Sequence, residues 1–484
     1  MHAKLNQHAG APGVAALRQH THVLFVLPPA TRLLREWPSA DILAPLLARR
    51  HMKVSELAKS AVTGNLKGGA LASWVMLDTA KSTFEVHATV RGAMQPLLAE
   101  NPAGIAIVVT GDAAQRRRAA QVGVYCAWVN GVPPPERKKK PTRKPLKAIH
   151  LYGHRDKDEF AAMRACAEGN VLCRELTDLP PNELTPAAYR ERVKGLAREY
   201  GWRREEYDYK RLRKMGAGAF CAVAQGSDAR DAAIVHLKYT HPRAAQSVAL
   251  VGKGICFDTG GHNLKSARYM YTMHEDMNGS AVALGILVAA TRMQLAANID
   301  CWLAISRNDI SPRAYHQNEV VRALNGTTIE VMHTDAEGRM VLADTLTLAA
   351  RGKPALIVDF ATLTGSMHVA LGDRYSGIFA TSDALAGAAV AAGRIAGERV
   401  CAFPQDDDYD SALDSRIADV KQCSLEGEAD HILATRFLRR FVGAAPWIHV
   451  DLSASSCKGG LGAVASETTG FGVAWGIELL RNRL

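Results

Sequence analysis

A chain of 484 residues is too long for one ordinary hydrophobic core, so two domains are expected. Hydrophobic residues make up 48% and charged residues 22%, which excludes a fibrous or wholly disordered chain. The net charge of +11 is local: residues 116–147 hold ten basic side chains against one acid, Glu136, and the remainder is close to neutral.

The longest apolar stretch, residues 279–291, falls short of the ~20 residues a membrane span requires. Residues 1–13 lack the apolar core of a secretory signal. The nine cysteines are scattered without a CxxC pair, as in a protein of the reducing cytoplasm, and most are expected in the core.

In chain order, residues 23–27 (Val-Leu-Phe-Val-Leu) predict a buried strand, 45–57 a helix and 105–109 another strand. Residues 133–147 combine proline with basic side chains and read as an exposed linker or edge strand, with a polyanion contact as the other reading. A charged amphipathic helix is predicted over 154–176, joining two domains. Pro180-Pro-Asn182 and Thr185-Pro186 then break the chain before a helix that runs to Tyr200. Beyond them the rhythm is strand (248–257), helix (280–295), strand (299–305), helix (338–350), strand (355–360).

This pattern predicts an α/β fold: an N-terminal α/β domain (1–152), a connecting helix (153–178) and a larger C-terminal catalytic domain (179–484). The catalytic domain should carry a mixed, mostly parallel sheet flanked by helices. Ligands of such sheets sit at the carboxyl ends of strands. Function is therefore expected at Asp258, at His333-Thr-Asp-Ala-Glu-Gly-Arg339 and at Thr362-Leu-Thr-Gly365.

Four carboxylates stand out there: Asp258, Asp276, Asp335 and Glu337. Asp335 and Glu337 read as alternate residues of an extended segment, with both side chains on one side. Taken singly, Asp276 suits a helix N-cap, Asp258 a turn, and Lys253 and Lys265 a solvated surface. Together they place converging carboxylates at successive strand ends, where cations, as lysine, arginine or metal, must balance them.

Val251-Gly-Lys-Gly-Ile-Cys-Phe-Asp-Thr-Gly-Gly261 resembles the first signature of the leucyl (cytosol) aminopeptidase family of two-metal peptidases. Leu264-Lys265, Asp276-Met-Asn-Gly279, Thr334-Asp-Ala-Glu-Gly-Arg339 and Ala361-Thr-Leu-Thr-Gly365 follow at that family's spacing. The resemblance runs from about Arg174 to the C-terminus and is faint before it.

It implies a metal-dependent aminopeptidase that removes N-terminal residues from short peptides with a metal-activated water. Two divalent ions (zinc, manganese or magnesium) would share Asp258 and Glu337, with Asp335 completing one site and Asp276 and Lys253 the other. Lys265 would polarise the scissile carbonyl, and Arg339 would hold a bicarbonate acting as base. Met273, Thr362, Thr364 and Gly365 would line the pocket, and the Leu363 carbonyl would hold the substrate amine. A homohexamer in the cytoplasm is implied too.

Departures from the family bear on specificity. His333 replaces an asparagine and reads as a hydrogen-bonding neighbour of the site or as an extra ligand. His262-Asn263 and Ser266-Ala267 surround Lys265 with polar groups, and Ser453-Ala-Ser-Ser456 makes the pocket wall more polar than leucine requires. The alternative function is a DNA-binding family member using the basic 116–147 segment, with or without peptidase activity.

Overall fold

The computed structural model describes residues 3–78, 80–158 and 160–483. It divides into two compact units. One comprises the chain up to Val171 with Arg394–Glu398 and Cys457–Thr469. The other comprises Leu172–Gly393, Arg399–Ser456 and the chain from Gly470 onward. The division falls inside the helix Ala161–Thr177, which begins seven residues after the start of the helix predicted over 154–176. Among the described residues no helix is long and apolar enough to cross a membrane.

The first unit is built on a six-stranded sheet of β1 (Lys4–His8), β2 (His22–Leu27), β3 (Val62–Asn65), β4 (Leu71–Met76), β5 (Gly104–Val109) and β6 (Ala148–Tyr152). Its spatial order is β1-β6-β5-β2-β4-β3, parallel throughout except for the β3–β4 pair. A strand buried on both faces reads as an unbroken apolar run. In β2, Leu24 and Val26 pack into one core while Val23, Phe25 and Leu27 pack into the other.

Helices Thr83–Ala99 and Ala113–Asn130 each start on a capping box, Ser82 with Glu85 and Asp112 with Gln115. The helix predicted over 45–57 is two pieces, Ala40–Arg49 and the 3-10 turn Val54–Ala58. His51 between them takes φ 53°, a left-handed conformation that ends a helix, and Pro45 sits inside the first piece instead of opening it. Residues 133–147 contain no helix or strand, as the linker reading expected, and β6 starts at Ala148. Asn101 clasps the segment through the Thr142 carbonyl (3.1 Å) and the Lys144 amide (3.0 Å).

The second unit holds β7 (Arg203–Asp208), β8 (Ala233–Tyr239), β9 (Ser247–Asp258), β10 (Asn298–Asn308), β11 (Val320–Arg322) and β12 (Thr328–Glu330). It continues with β13 (Leu356–Ala361), β14 (Ser376–Ala380), β15 (Val400–Ala402), β16 (Val420–Lys421) and β17 (Trp447–Asp451). Its main sheet runs β15-β14-β17-β13-β9-β10-β8-β7, and β11-β12-β16 form a small separate sheet. The central strands β17, β13, β9 and β10 are parallel, and antiparallel pairs flank them. The sheet is mixed and mostly parallel at its centre, as predicted.

Two helices sandwich β9, and its alternation sorts its side chains between them. Gly252 faces the helix Asn278–Arg292, buried from Asn278 through Ala290, where a Cβ would collide with the Ser280 backbone. Ala249, Val251 and Ile255 face the other way and share a core with the helix Glu337–Arg351. Lys253, lying between Val251 and Ile255, therefore points toward the start of that helix.

Candidate metal centre

The end of β9 is irregular in a way that shapes the site. Ser306 of β10 pairs with Ile255, but Asn308 pairs with Asp258, so β9 carries one extra residue. Such a bulge reverses the alternation beyond it. Asp258 thereby joins Lys253 on the side of Glu337. Its carboxylate accepts hydrogen bonds from the Gly260 amide and the Asn308 side chain, both at 2.8 Å.

Asp335 and Glu337 are brought together differently from the extended segment expected. Asp335 lies in a turn, and Glu337 is the first residue of the helix Glu337–Arg351. Ligand oxygens of Asp258, Asp335 and Glu337 all lie within 4.8 Å of one another. Asp276 lies in the 3-10 turn Met273–Met277, which Met273 opens, and makes no helix cap. Its Oδ1 accepts from Lys253 Nζ (2.8 Å) and Thr362 Oγ1 (2.7 Å).

Two ammonium groups are threaded through these carboxylates. Lys253 Nζ lies 2.9 Å from Glu337 and donates to the Thr362 carbonyl at 3.0 Å. Lys265 Nζ lies 3.0 Å from Asp258 and 2.6 Å from Asp335. Four carboxylates against two ammonium groups leave two negative charges uncompensated in a buried site.

The titration directions register that imbalance. Burial, then Glu337 and Asp258, push Asp335 up to about 8 even though Lys265 pulls it down. Burial pushes Asp276 up to about 7 against the pull of Lys253. Glu337 is raised by burial and by Asp258. Burial lowers the lysines, but the carboxylates overcome it and hold both above the ordinary range. Asp276 Oδ2 is buried with no hydrogen-bond partner. Surplus negative charge and an orphaned carboxylate oxygen fit a site for divalent cations.

Around this cluster, Asp451 at the end of β17 holds the loop that follows β13. It accepts from the Leu363 amide (3.0 Å) and the Thr364 hydroxyl (2.7 Å), and Gly365 then starts the helix Gly365–Leu371. His333 accepts the Asp335 amide on Nδ1 at 3.2 Å, which favours the hydrogen-bonding reading over an extra ligand. The Arg339 guanidinium pairs with both oxygens of Asp430 (2.8 and 3.0 Å) and donates to the Gln422 carbonyl (3.2 Å), while its buried Nε has no partner.

Sequence reasoning missed Asn308, Asp430 and Asp451. Each acts on a residue at least 50 positions away, so no local spacing reveals the pair. Asp451 does end a mostly apolar run, Trp447-Ile-His-Val-Asp451, and a strand's carboxyl end is where function was expected.

Comparison with known proteins agrees with this geometry. The catalytic-domain profile of the cytosol aminopeptidase family matches residues 171–476. A probable cytosol aminopeptidase of Acidovorax sp. (strain JS42) is 42% identical over 318 residues, 65% of this chain and 63% of that protein. One from Gluconobacter oxydans (strain 621H) is 38% identical over 342 residues, 69% of each. The chain thus spans less than two thirds of the Acidovorax relative's length. Among solved structures, the bottromycin maturation enzyme BotP in complex with Mn is similar at a TM-score of 0.83 and 29% identity, covering 96% of this chain and 99% of that one. The chain belongs to the cytosol aminopeptidase family, with the family's catalytic domain at residues 171–476.

Proposed function

We propose that this chain is a metal-dependent aminopeptidase acting on short peptides. The observation that carries the reading is the buried cluster Asp258, Asp276, Asp335 and Glu337, whose charge two lysines only half compensate. In this reading Lys253 and the four carboxylates hold two divalent ions, and the manganese in the BotP structure makes that metal the first to test. Bound divalent ions supply Lewis acidity and lower the pKa of water enough to make a nucleophile near neutral pH.

The chain's own groups do the remaining work. Lys265, with its side chain 15% exposed, can reach a substrate while staying fixed by Asp258 and Asp335. Its ammonium donates to the scissile carbonyl oxygen as negative charge grows there. The Leu363 carbonyl accepts from the substrate's α-ammonium, which restricts cleavage to the first residue. Asp451 keeps that loop in register through the Leu363 amide and the Thr364 hydroxyl. Met273, Thr362, Thr364 and Gly365 receive the first side chain.

The unpartnered Nε of Arg339 supports an anion such as bicarbonate beside it. The same reading keeps the domain limits 1–152, 153–178 and 179–484, a cytoplasmic location and self-association as a hexamer.

The test is hydrolysis of a panel of aminoacyl p-nitroanilides by the full chain with Mn²⁺, Zn²⁺, Mg²⁺ or no added metal. We expect metal-dependent release that EDTA stops and that Glu337→Ala reduces at least ~10³-fold. No turnover with any metal, together with no stoichiometric metal uptake, would overturn the reading.

A further inference from the structure

A second concave site lies in the larger unit, built from residues that play no part in the carboxylate cluster. It is a cavity of about 600 Å³ with Arg213, Arg230, Arg313 and Arg322 on its walls. Its one acid, Glu319, is already engaged by His316 at 2.8 Å. Arg313 pairs with Asp228, whose side chain is 90% exposed, so that pair yields readily to a competing anion. Among the described residues, Arg213, Arg230 and Arg322 form no ion pair. Arg322 donates to the Gly326 carbonyl at 2.9 Å and Arg313 is paired with Asp228, so the four guanidinium groups face two carboxylates, Glu319 and Asp228, and leave a net positive field in the hollow.

The hollow is held by close backbone approaches. Any side chain at Gly218 would collide with the Arg322 carbonyl, so the two backbones touch there. A Cβ at Gly226 would lie 2.6 Å from the Asp309 carbonyl and 3.2 Å from the Ala314 side chain. These contacts fix the walls carrying Arg322 and Arg313 against the segment that carries Arg213 and Arg230. Tyr209 presents a half-buried ring on the same wall. Burial raises its hydroxyl, while Arg213 and Arg230 both pull it down, as expected if both cations stand beside it.

We propose that this cavity binds a polyanionic small molecule of the phosphate class, carrying at least two adjacent phosphoryl groups. Planar guanidinium forks match phosphoryl oxygens two at a time, and four of them exceed what a single carboxylate or chloride needs. The volume accepts a pyrophosphate with room to spare, or a nucleoside di- or triphosphate with its base against Tyr209.

The cavity also abuts the segment leading to the metal centre. Tyr315, two residues after Arg313, donates to the Thr334 carbonyl at 2.7 Å. Asp344 of the helix Glu337–Arg351 accepts from the Phe220 and Leu324 amides at 2.8 and 2.7 Å. Occupancy of the cavity is thereby joined by two hydrogen-bonded links to the elements that carry Asp335 and Glu337. The binding claim stands apart from the peptidase reading and does not need it.

The test is isothermal titration of the full chain with pyrophosphate and, separately, with ATP, at fixed ionic strength and saturating Mn²⁺. Chelation by the probe is then common to every variant. Two variants are compared with the wild type: R213Q/R322Q in the cavity, and K138Q/K139Q/K140Q in the exposed basic segment. We expect the cavity variant to lose at least ~10-fold in affinity for pyrophosphate and the basic-segment variant to bind as the wild type does. ATP binding tighter than pyrophosphate, weakened by Tyr209→Ala, would identify a nucleotide; equal binding would identify a simple phosphate chain. Binding unchanged in R213Q/R322Q, or lost on neutralising residues 138–140 instead, would overturn the proposal, as would no binding of either probe by the wild type.

Discussion

Gly338 follows Glu337 directly, and a Cβ there would lie 2.8 Å from both Cε and Nζ of Lys253. The Lys253 side chain is 4% exposed and fixed by Asp276 and Glu337, so it has nowhere to retreat. The glycine is therefore required for close approach and not for its backbone freedom. Gly338→Ala should push the amine out of the carboxylate cluster while the helix Glu337–Arg351 gains a better helix former. Displacing a site group by ~1 Å costs on the order of 10²-fold in rate. We expect at least a tenfold loss of peptidase turnover and weaker metal retention, with the far-ultraviolet circular dichroism of the wild type. Full activity in Gly338→Ala would show that Lys253 need not sit where the structure places it.

At the scale of elements, the strands were legible because burial on both faces writes itself as apolar runs, as in β2 and β9. The bulge at the end of β9 was not legible, because it is a property of pairing with β10 and leaves no mark in β9 alone. The helix predicted at 338–350 starts one residue earlier, so the membership of Glu337 in it, instead of in an extended segment, was not legible either. A polar Thr-Asp-Ala-Glu-Gly segment carries no apolar period, and the N-cap Ala336 makes no side-chain capping bond that would have announced the helix.

The helix Thr83–Ala99 carries a buried histidine that likewise escaped notice. Burial, helped by Arg118, pushes His87 down from 6.5 to about 3. A base with a lowered folded-state pKa binds its proton more readily when unfolded, so stability is complete above pH 6.5 and falls as pH drops toward 3. Each pH unit in that window costs roughly 1.4 kcal/mol. The first unit should therefore lose about 2 kcal/mol between pH 6.5 and pH 5 from this group. His87→Gln, neutral and of similar size, should flatten that slope in denaturant titrations at the two pH values. An unchanged slope would show that His87 protonates without unfolding.

At the scale of the whole molecule, charge is distributed in a way the linear sequence hid. The run at 137–140 is conspicuous in the sequence; the four arginines of the cavity are exposed as well, but they come from separate segments and converge only on folding. The carboxylate cluster is the opposite case, a concentration of buried negative charge that the metal-free chain must tolerate. Its surplus negative charge destabilises the folded catalytic unit, and in the proposed two-metal reading divalent cations bound to the folded state would remove that cost.

By linkage, metal at 100 times its dissociation constant adds about 2.7 kcal/mol to stability. EDTA should lower the unfolding temperature of the catalytic unit and leave the His87-dependent acid sensitivity of the first unit unchanged. Glu337→Gln separates the two contributions. It removes one of the mutually repelling carboxylates while keeping the side chain's shape, so the metal-free variant at pH 8 should be more stable than the metal-free wild type, on the order of 1 kcal/mol. Adding Mn²⁺ should then reverse the ranking, because the variant has lost a ligand and gains little from the ion. Calorimetry of both proteins with and without Mn²⁺ reads all four states. If metal-free Glu337→Gln is less stable than metal-free wild type, Glu337 is held by its contact with Lys253 more strongly than Asp258 repels it, and the cluster is a structural ion-pair network whose stability does not wait on a metal.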